Sequence, residues 1–251
     1  MPLYNLTNGN DAFNSFEAQG WADGSQVFGE NGDDFINTGG NHDILDGGDG
    51  NDQVFSEGNY NLMIGGNGND QVGANGHYNL LLGGSGDDFL LSVGGSGGDH
   101  ETGIGNLMIG GSGHDTFAPV GASDLAVTND TNGVLSEGDH VVGVFDLIGD
   151  YRFGEDMIQT GATHRVSTVA LDTNFTPATA PDIHASSPDH EHLLLNSGDY
   201  DVVRGNLAHS GEFDVSQTGR DLLILSDNSI DYYHHAVVLL GNTNPDWVMV
   251  V

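Results

Sequence analysis

A nine-residue unit recurs through the first half of the chain, and every second copy is well preserved. The best copies read GGDGNDQVF from Gly47, GGNGNDQVG from Gly65, GGSGDDFLL from Gly83 and GGSGHDTFA from Gly110. Units of nine can be counted from residue 20 to residue 91 without a slip. A fixed short period is typical of a chain that stacks similar turns and strands, so this repeat constrains the fold more than any other feature.

The repeated pattern G-G-x-G-x-D-x-U-x, where U is a large apolar residue, resembles the repeat of the RTX family, also known as hemolysin-type calcium-binding repeats. This resemblance implies that each unit is a turn followed by a short strand, and that the strands wind into a parallel β-roll. It also implies calcium ions held between stacked turns. A nine-residue insertion within Ser92–Thr102 interrupts the count, which resumes at Gly103.

Well-kept and degenerate units alternate, which predicts two different flanks on the roll. If two units make one coil, then residues eighteen apart in the sequence stack directly. The sixth positions of the well-kept units form an aspartate row: Asp34, Asp52, Asp70, Asp88 and Asp115. The sixth positions of the degenerate units form an amide row: Ser25, Asp43, Asn61, Asn79 and Asn106.

The aspartate row is a candidate calcium site. Ca²⁺ takes six to eight oxygen ligands, and glycine turns expose backbone carbonyls because glycine adopts positive φ easily. An ion between two stacked turns would collect carbonyls and one carboxylate from each turn, so five turns predict roughly four ions in one row. The central glycines of these turns are part of the predicted site: Gly32, Gly50, Gly68, Gly86 and Gly113.

The two ends of the aspartate row match the repeat pattern less well than its middle. Glu30 stands where the other well-kept units have their second glycine, and the slot between Asp88 and Asp115 spans the insertion. The amide row lacks the charge to neutralise cations, so no calcium row is expected there, although one ion near Asp43 is possible. The alternative is a set of Asn/Asp/Gly-rich turns that bind no metal.

The charge of the chain favours cations as partners. It carries 37 acidic residues against four basic ones, all Arg, for a formal net charge of -33. Such a chain repels nucleic acids and anionic membranes, so neither is an expected partner. There is no Cys, so bound metal is the natural replacement for disulfide bonds. No transmembrane segment and no cleavable N-terminal signal are expected from the sequence.

The strand positions predict a thin core and an apolar outer face. Side chains alternate along a strand, so the U positions point inward: Ile36, Leu45, Val54, Met63, Val72, Leu81, Leu90, Met108 and Phe117. The outward neighbours on the amide side form an apolar ladder: Leu62, Ile64, Leu80, Leu82, Leu107 and Ile109. An uncovered patch of this kind would be unusual on a monomer. We expect the C-terminal half to cover it; the alternative is a second copy, a cell surface or a polysaccharide.

The chain beyond residue 118 loses the nine-residue period. Its segment DHVVGVFDLIGDYRFGEDMI (Asp139–Ile158) resembles the segment that follows the repeats in secreted RTX proteases, and the end DWVMVV is similar to their uncleaved type I secretion signal. Further strands are predicted at Asp199–Leu207, Arg220–Ser226 and Ile230–Leu240. We therefore predict an all-β protein with three parts: an N-terminal capping strand (1–19), a parallel β-roll (20–118) and a C-terminal β-sandwich-like cap (119–251).

The sequence holds no recognisable catalytic motif. A loop from Asp182 to His192 gathers carboxylates and imidazoles, but its spacing matches no catalytic zinc pattern, and H-E-x-x-H and G-x-S-x-G are absent. A solvated acidic loop is the better interpretation of that segment.

These observations lead to one expected function and to alternatives. We expect an extracellular, calcium-stabilised protein with a structural, surface-associated or self-assembling role, which folds on calcium after export by a type I secretion machinery. The alternative is a polysaccharide-acting enzyme, similar to an epimerase or lyase, or a carbohydrate-binding module, for which a cleft with an acid/base pair within Gly161–Asn196 would be the distinguishing feature.

Overall fold

The computed structural model describes residues 2–15, 23–94, 103–121, 125–129, 133–162, 164–166, 170–172, 191–195, 199–208, 211–227 and 235–251. Within these residues the regular structure is β-strand, apart from a single 3₁₀ turn at Pro245–Trp247. None of the described helical structure is long and apolar enough to cross a membrane.

The first half of the chain alternates between two sheets. Its strands are β1 (Leu3–Asn5), β2 (Ala12–Asn14), β3 (Gln26–Phe28), β4 (Phe35–Thr38), β5 (Ile44–Asp49), β6 (Gln53–Ser56), β7 (Leu62–Asn67), β8 (Gln71–Ala74), β9 (Leu80–Ser85), β10 (Phe89–Ser92), β11 (Gly103–Ser112) and β12 (Thr116–Pro119). Odd-numbered strands pair in parallel in one sheet and even-numbered strands in the other. Each pair of consecutive strands therefore makes one coil.

The pairing register follows the predicted period. Leu45 pairs with Met63 and Val54 with Val72, both eighteen residues apart. The first coil is offset by five further residues, because Leu3 pairs with Gln26. The insertion adds nine residues between β9 and β11 without disturbing the pairing of their side chains.

The side chains predicted to point inward are all fully buried between the two sheets. They form one apolar cluster, which also takes in Ile148, Ile158 and Leu239 from the second half of the chain. The prediction of this thin core is confirmed, because the alternation of strand side chains fixes which residue of each unit faces the opposite sheet.

The second half of the chain extends the odd-numbered sheet. Its strands are β13 (Ala126–Thr128), β14 (His140–Val142), β15 (Val144–Ile148), β16 (Met157–Ile158), β17 (His164–Arg165), β18 (Ala170–Asp172), β19 (Glu191–Leu194), β20 (Asp199–Leu207), β21 (Glu212–Val215), β22 (Asp221–Ser226) and β23 (His235–Leu239). β15 and β16 add one more parallel coil beyond the repeats, on β11 and β12. β23 then pairs in parallel with β15, and β22, β20, β21, β14, β13, β19 and β18 follow as antiparallel neighbours.

This antiparallel half builds a second apolar core. Phe145, Leu147 and Val238 face Val127 and Phe213 in a cluster separate from the first. The predicted strands at Asp199–Leu207 and Arg220–Ser226 correspond to β20 and β22, and the third overlaps β23.

Among the described residues, the apolar ladder packs against a core at one position. Leu107 packs against the second core, whereas the other five ladder residues belong to neither core and are half-buried: Leu62, Ile64, Leu80, Leu82 and Ile109. The C-terminal half therefore reaches the ladder at Leu107, and its cover over the other five positions stays a prediction. β15 joins the edge of the ladder's sheet beside Leu107, and β23 follows it in that sheet.

Candidate metal centre

The five aspartates of the predicted row are stacked and buried. Each lies directly before a strand of the even-numbered sheet, where the glycine turn ends, and none is more than 3% exposed. Their Oδ1 atoms accept hydrogen bonds from the backbone of the preceding coil. Asp70 Oδ1 accepts the N–H of Asp52 at 2.8 Å, and Asp88 Oδ1 accepts the N–H of Asp70 at 2.8 Å. The carboxylates are thus held in a fixed orientation.

The second carboxylate oxygen is different. The Oδ2 atoms of all five aspartates are buried and have no hydrogen-bond partner. A buried charged oxygen that has lost water without gaining a donor destabilises a fold unless a cation or a proton neutralises it. A bound proton or a bound cation would therefore stabilise each of these five oxygens.

Glycine at the first position of each unit leaves space beside these oxygens. A methyl group added at Gly65 would lie 2.5 Å from Asp70 Oδ2 and 2.6 Å from the carbonyl oxygen of Gly83 in the next coil. Gly29, Gly47 and Gly83 stand in the same arrangement with the aspartate of their own unit and the first carbonyl of the next coil. The structure thus holds four equivalent positions at which a carboxylate oxygen and a backbone carbonyl oxygen both lie next to the point that the added methyl group would occupy.

The five predicted central glycines occupy the turns as expected. Gly32, Gly50, Gly68, Gly86 and Gly113 have φ between 121° and 140°, which side chains rarely tolerate. Glu30 adopts φ 74° in place of a glycine, so the first turn keeps its left-handed backbone despite the substitution. Asp34 retains the same unpartnered oxygen as the other four aspartates.

Burial makes the aspartate row hard to ionise. Removal from water raises the pKa of Asp52 to about 6, of Asp70 to about 6 and of Asp88 to about 7. The same cause raises the pKa of Asp34 and of Asp115 above the usual aspartate value. The row is therefore poised to take up either protons or metal cations near neutral pH.

Both ends of the row are closed by the chain itself. At the N-terminal end, Asp11 Oδ2 accepts hydrogen bonds from the N–H and the hydroxyl of Thr7, at 2.7 Å and 2.6 Å. At the C-terminal end, Asp156 Oδ1 accepts the N–H of Asp115 at 3.1 Å and its Oδ2 accepts the N–H of Arg152 at 2.6 Å. The count of nine did not reach Asp156 or Arg152, because about forty residues separate them from the last repeat turn, although GEDMI (Gly154–Ile158) matches the G-x-D-x-U part of the unit.

The asparagines of the amide row form hydrogen bonds through both polar atoms of their side chains. Asn79 Oδ1 accepts the N–H of Asn61 at 2.8 Å, and Asn79 Nδ2 donates to the carbonyl of Gly58 at 3.0 Å. Asn61 and Asn106 donate in the same way to carbonyls one coil earlier, and also to the hydroxyls of Ser56 and Ser92. Each of these amides thus bridges backbone groups of the neighbouring coil.

Asp43 combines features of both rows. Its Oδ1 accepts the N–H of Ser25 at 2.7 Å, while its Oδ2 is buried and has no hydrogen-bond partner. Burial raises the pKa of Asp43. Its first-position neighbour is Thr38 and not glycine, so the space found beside the other aspartates is not open to the same degree.

Aromatic side chains stack beside the amide row. The rings of Tyr60 and Tyr78 lie 5.0 Å apart with an interplanar angle of 8°, and His42 extends the stack at 5.3 Å from Tyr60. The two tyrosines are eighteen residues apart, so the repeat period brings their rings together. All three residues have φ near 60°, and Tyr60 and Tyr78 are about half exposed.

A separate cluster on the C-terminal sheet was missed by sequence reasoning. His140 Nδ1 lies 2.6 Å from Glu212 Oε1 and 3.2 Å from Asp214 Oδ1, on the paired strands β14 and β21. These three side chains are close enough to share a cation. The strand register could not be read from the sequence, so no local signal connects residues 140 and 212. The predicted loop from Asp182 to His192 lies mostly outside the described residues, as does most of Gly161–Asn196.

Comparison with known proteins adds no relative. No known family matches the chain, and no curated protein has a similar sequence.

Proposed function

We propose that the aspartate row binds calcium and that the chain is an extracellular β-roll protein of the RTX type, which folds when calcium fills the row. One observation carries the proposal: at four equivalent positions, a buried carboxylate oxygen without a hydrogen-bond partner faces a backbone carbonyl of the next coil. Asp34, Asp52, Asp70 and Asp88 would supply these carboxylates.

The chemistry of the ligands favours calcium. All candidate ligands are oxygens, from carboxylates and backbone carbonyls, which suits a hard cation. Mg²⁺ demands a tighter octahedral shell and keeps its waters, so a row of carbonyls between coils suits Ca²⁺ better. The bound ions would also neutralise part of the formal charge of -33, which otherwise opposes a compact state.

Calcium binding would act as a folding switch. Extracellular calcium modules bind at roughly 10⁻⁴–10⁻³ M, far above the free calcium inside cells. The chain would stay expanded by its own charge before export, and the row would be filled outside. Export by a type I secretion machinery is supported by the similarity of DWVMVV to a secretion signal. In the fold, this end pairs with the body through Val250 and Ile158.

Calcium removal tests the switch. Far-UV circular dichroism of the protein in calcium should show β-structure, which EGTA should abolish and added calcium, but not equal magnesium, should restore. The Asp70→Asn, Asp88→Asn double variant should need more calcium for the same signal. An unchanged β signal after complete calcium removal would rule out the switch.

We also propose a self-assembling or surface-associated role for the apolar ladder. Leu62, Leu80 and their neighbours are half-buried and lie outside both apolar cores. Light scattering in calcium should show assembly of the native protein and a folded monomer for Leu80→Asp. A misfolded Leu80→Asp variant would instead mean that the chain's own segments cover this face. The alternative of a polysaccharide-acting enzyme would be tested by turnover assays on alginate and other polyanions.

A further inference from the structure

We propose that the aspartate row contains a fifth cation position, beside Asp115, which the guanidinium of Arg152 occupies in place of a metal ion. The inference rests on the proposed calcium row. It concerns a residue for which the repeat pattern predicts nothing.

The position beside Asp115 starts like the other four. Asp115 carries the same buried Oδ2 atom without a hydrogen-bond partner, and a methyl group added at Gly110 would collide with that atom. The next coil differs, because it is formed by residues beyond the well-kept repeats, through β16. The carboxylate of Asp150 accepts the N–H groups of Gly110 and Gly111 there, both at 2.9 Å.

Arg152 fills this altered position with positive charge. Its Nη2 lies 3.7 Å from Asp115 Oδ2 and also donates a hydrogen bond to the carbonyl of Gly111. Its Nε lies 4.0 Å from Asp156 Oδ2 and its Nη1 3.2 Å from Glu155 Oε2. The guanidinium thus lies beside a row carboxylate and donates to a backbone carbonyl, the same two kinds of group that meet at the other four positions, although here the carbonyl belongs to the same coil as the aspartate.

The local charge explains why a cation is needed there. Three carboxylates, from Asp115, Glu155 and Asp156, lie within 4.0 Å of the Arg152 guanidinium. Arg152 lowers the pKa of Asp115, although burial outweighs it and leaves the value raised. Removing the guanidinium would leave these three carboxylates and the carbonyl of Gly111 without their cation, and such a set of oxygens matches the ligands of Ca²⁺. Arg152 therefore converts a metal position into a permanent internal ion pair.

Counting bound ions tests this assignment. Equilibrium dialysis followed by elemental analysis should give four calcium ions per native chain and five for Arg152→Ala and Arg152→Gln. Arg152→Lys, which keeps the charge, should bind four. The Arg165→Ala variant is the matched control and should bind four calcium ions. Arg165 Nη1 lies 3.5 Å from Oδ1 of the exposed Asp246, a contact outside the aspartate row.

Each result has a distinct meaning. Five ions in the native protein, or four in both neutral variants, would overturn the assignment of Arg152 while leaving the calcium row intact. No bound ion in the native protein would instead overturn the proposed function. Far-UV circular dichroism in calcium confirms that each variant is folded. If neither neutral variant folds, the native count decides between four ions, as the proposal requires, and five, which contradicts it.

Discussion

The two flanks of the repeats have the same backbone arrangement but differ in whether their side-chain polar atoms are hydrogen-bonded. On the amide flank, Asn79 accepts a backbone N–H with its oxygen and donates to a carbonyl with its nitrogen, so both polar atoms are satisfied. On the aspartate flank, Asp70 accepts the same kind of N–H, but its second oxygen has no donor. One atom, nitrogen or oxygen, thus decides whether every polar atom of the side chain has a hydrogen-bond partner.

The first position of each unit shows the same division. On the aspartate flank it is always glycine, because a side chain there would collide with the aspartate and with the next carbonyl. On the amide flank the same position carries side chains that fill the space or accept from the amide: Thr38, Ser56, Ala74 and Ser92. The difference between Gly and Ser at one position therefore predicts which flank is built for a cation.

Exchange of the sixth residue should have the largest effect. In saturating calcium, Asp70→Asn should lose one bound ion and about 3 kcal/mol of stability, the contribution of a ligand present at about a hundred times its Kd. Without calcium the sign should reverse, because the variant has no buried charge to neutralise. Urea unfolding in calcium and in EGTA measures both; a destabilisation of equal size in both conditions would contradict the proposed cation at this position.

The reverse exchange tests the amide flank. Asn79→Asp removes the donor to the carbonyl of Gly58 and buries a new charge, so it should cost about 3 kcal/mol in the absence of calcium. Asn69→Asp is the matched control, because it changes the net charge equally at an exposed position and should cost far less. Equal losses in the two variants would show that net charge, and not the local hydrogen bond, sets the stability.

Acid should partly replace calcium. The pKa values of Asp52 and Asp70 are raised to about 6 and that of Asp88 to about 7, so without metal the folded state binds protons more tightly than the unfolded chain does. The folded state is therefore favoured at low pH, and this advantage is lost as pH rises through these values.

Circular dichroism of metal-free protein should accordingly show more β-structure at about pH 5 than at about pH 8, on either side of the raised pKa values. The triple variant with Asn at positions 52, 70 and 88 should show a much weaker pH dependence. A metal-free native protein whose β signal does not change with pH would contradict the role of buried charge in the aspartate row.

A methyl group at the first position should block a single ion. Gly65 has no positive φ, so Gly65→Ala changes space and not backbone conformation. We expect one ion fewer per chain and a loss of about 1–3 kcal/mol from overpacking. Ala74→Gly is the matched change on the amide flank and should leave the number of ions unchanged. Calcium counts and urea midpoints report both effects.

The aromatic stack should contribute least. Tyr60→Asn removes two ring contacts worth about 0.5–1.5 kcal/mol, and the tolerance of Asn for φ near 60° offsets part of this loss. Tyr60→Phe keeps the ring and should match the native protein. Urea unfolding in calcium compares the three, and a loss in Tyr60→Phe as large as in Tyr60→Asn would show that the hydroxyl matters and the ring does not.

The sequence was most informative where interactions repeat. Local period and alternation were sufficient to predict the buried Leu81 and Met108 and the aspartate row, because each depends on neighbours at a fixed spacing. Asp156 and Arg152 escaped prediction because they reach the row through a connection of irregular length. The path of the C-terminal strands and the cover over Leu107 depend on long-range pairing, which no local pattern records.

The register has a consequence for how such a molecule could grow. The pairing of Leu81 with Met108 tolerates nine additional residues in the intervening turn, so the coils respond to the identity of stacked positions and not to the distance along the chain. A duplicated eighteen-residue coil would therefore fit between its neighbours, lengthening the molecule by about 4.8 Å, the spacing of adjacent strands. Each added coil would bring one more of the proposed cation positions, so the number of bound ions would rise with the length of the molecule.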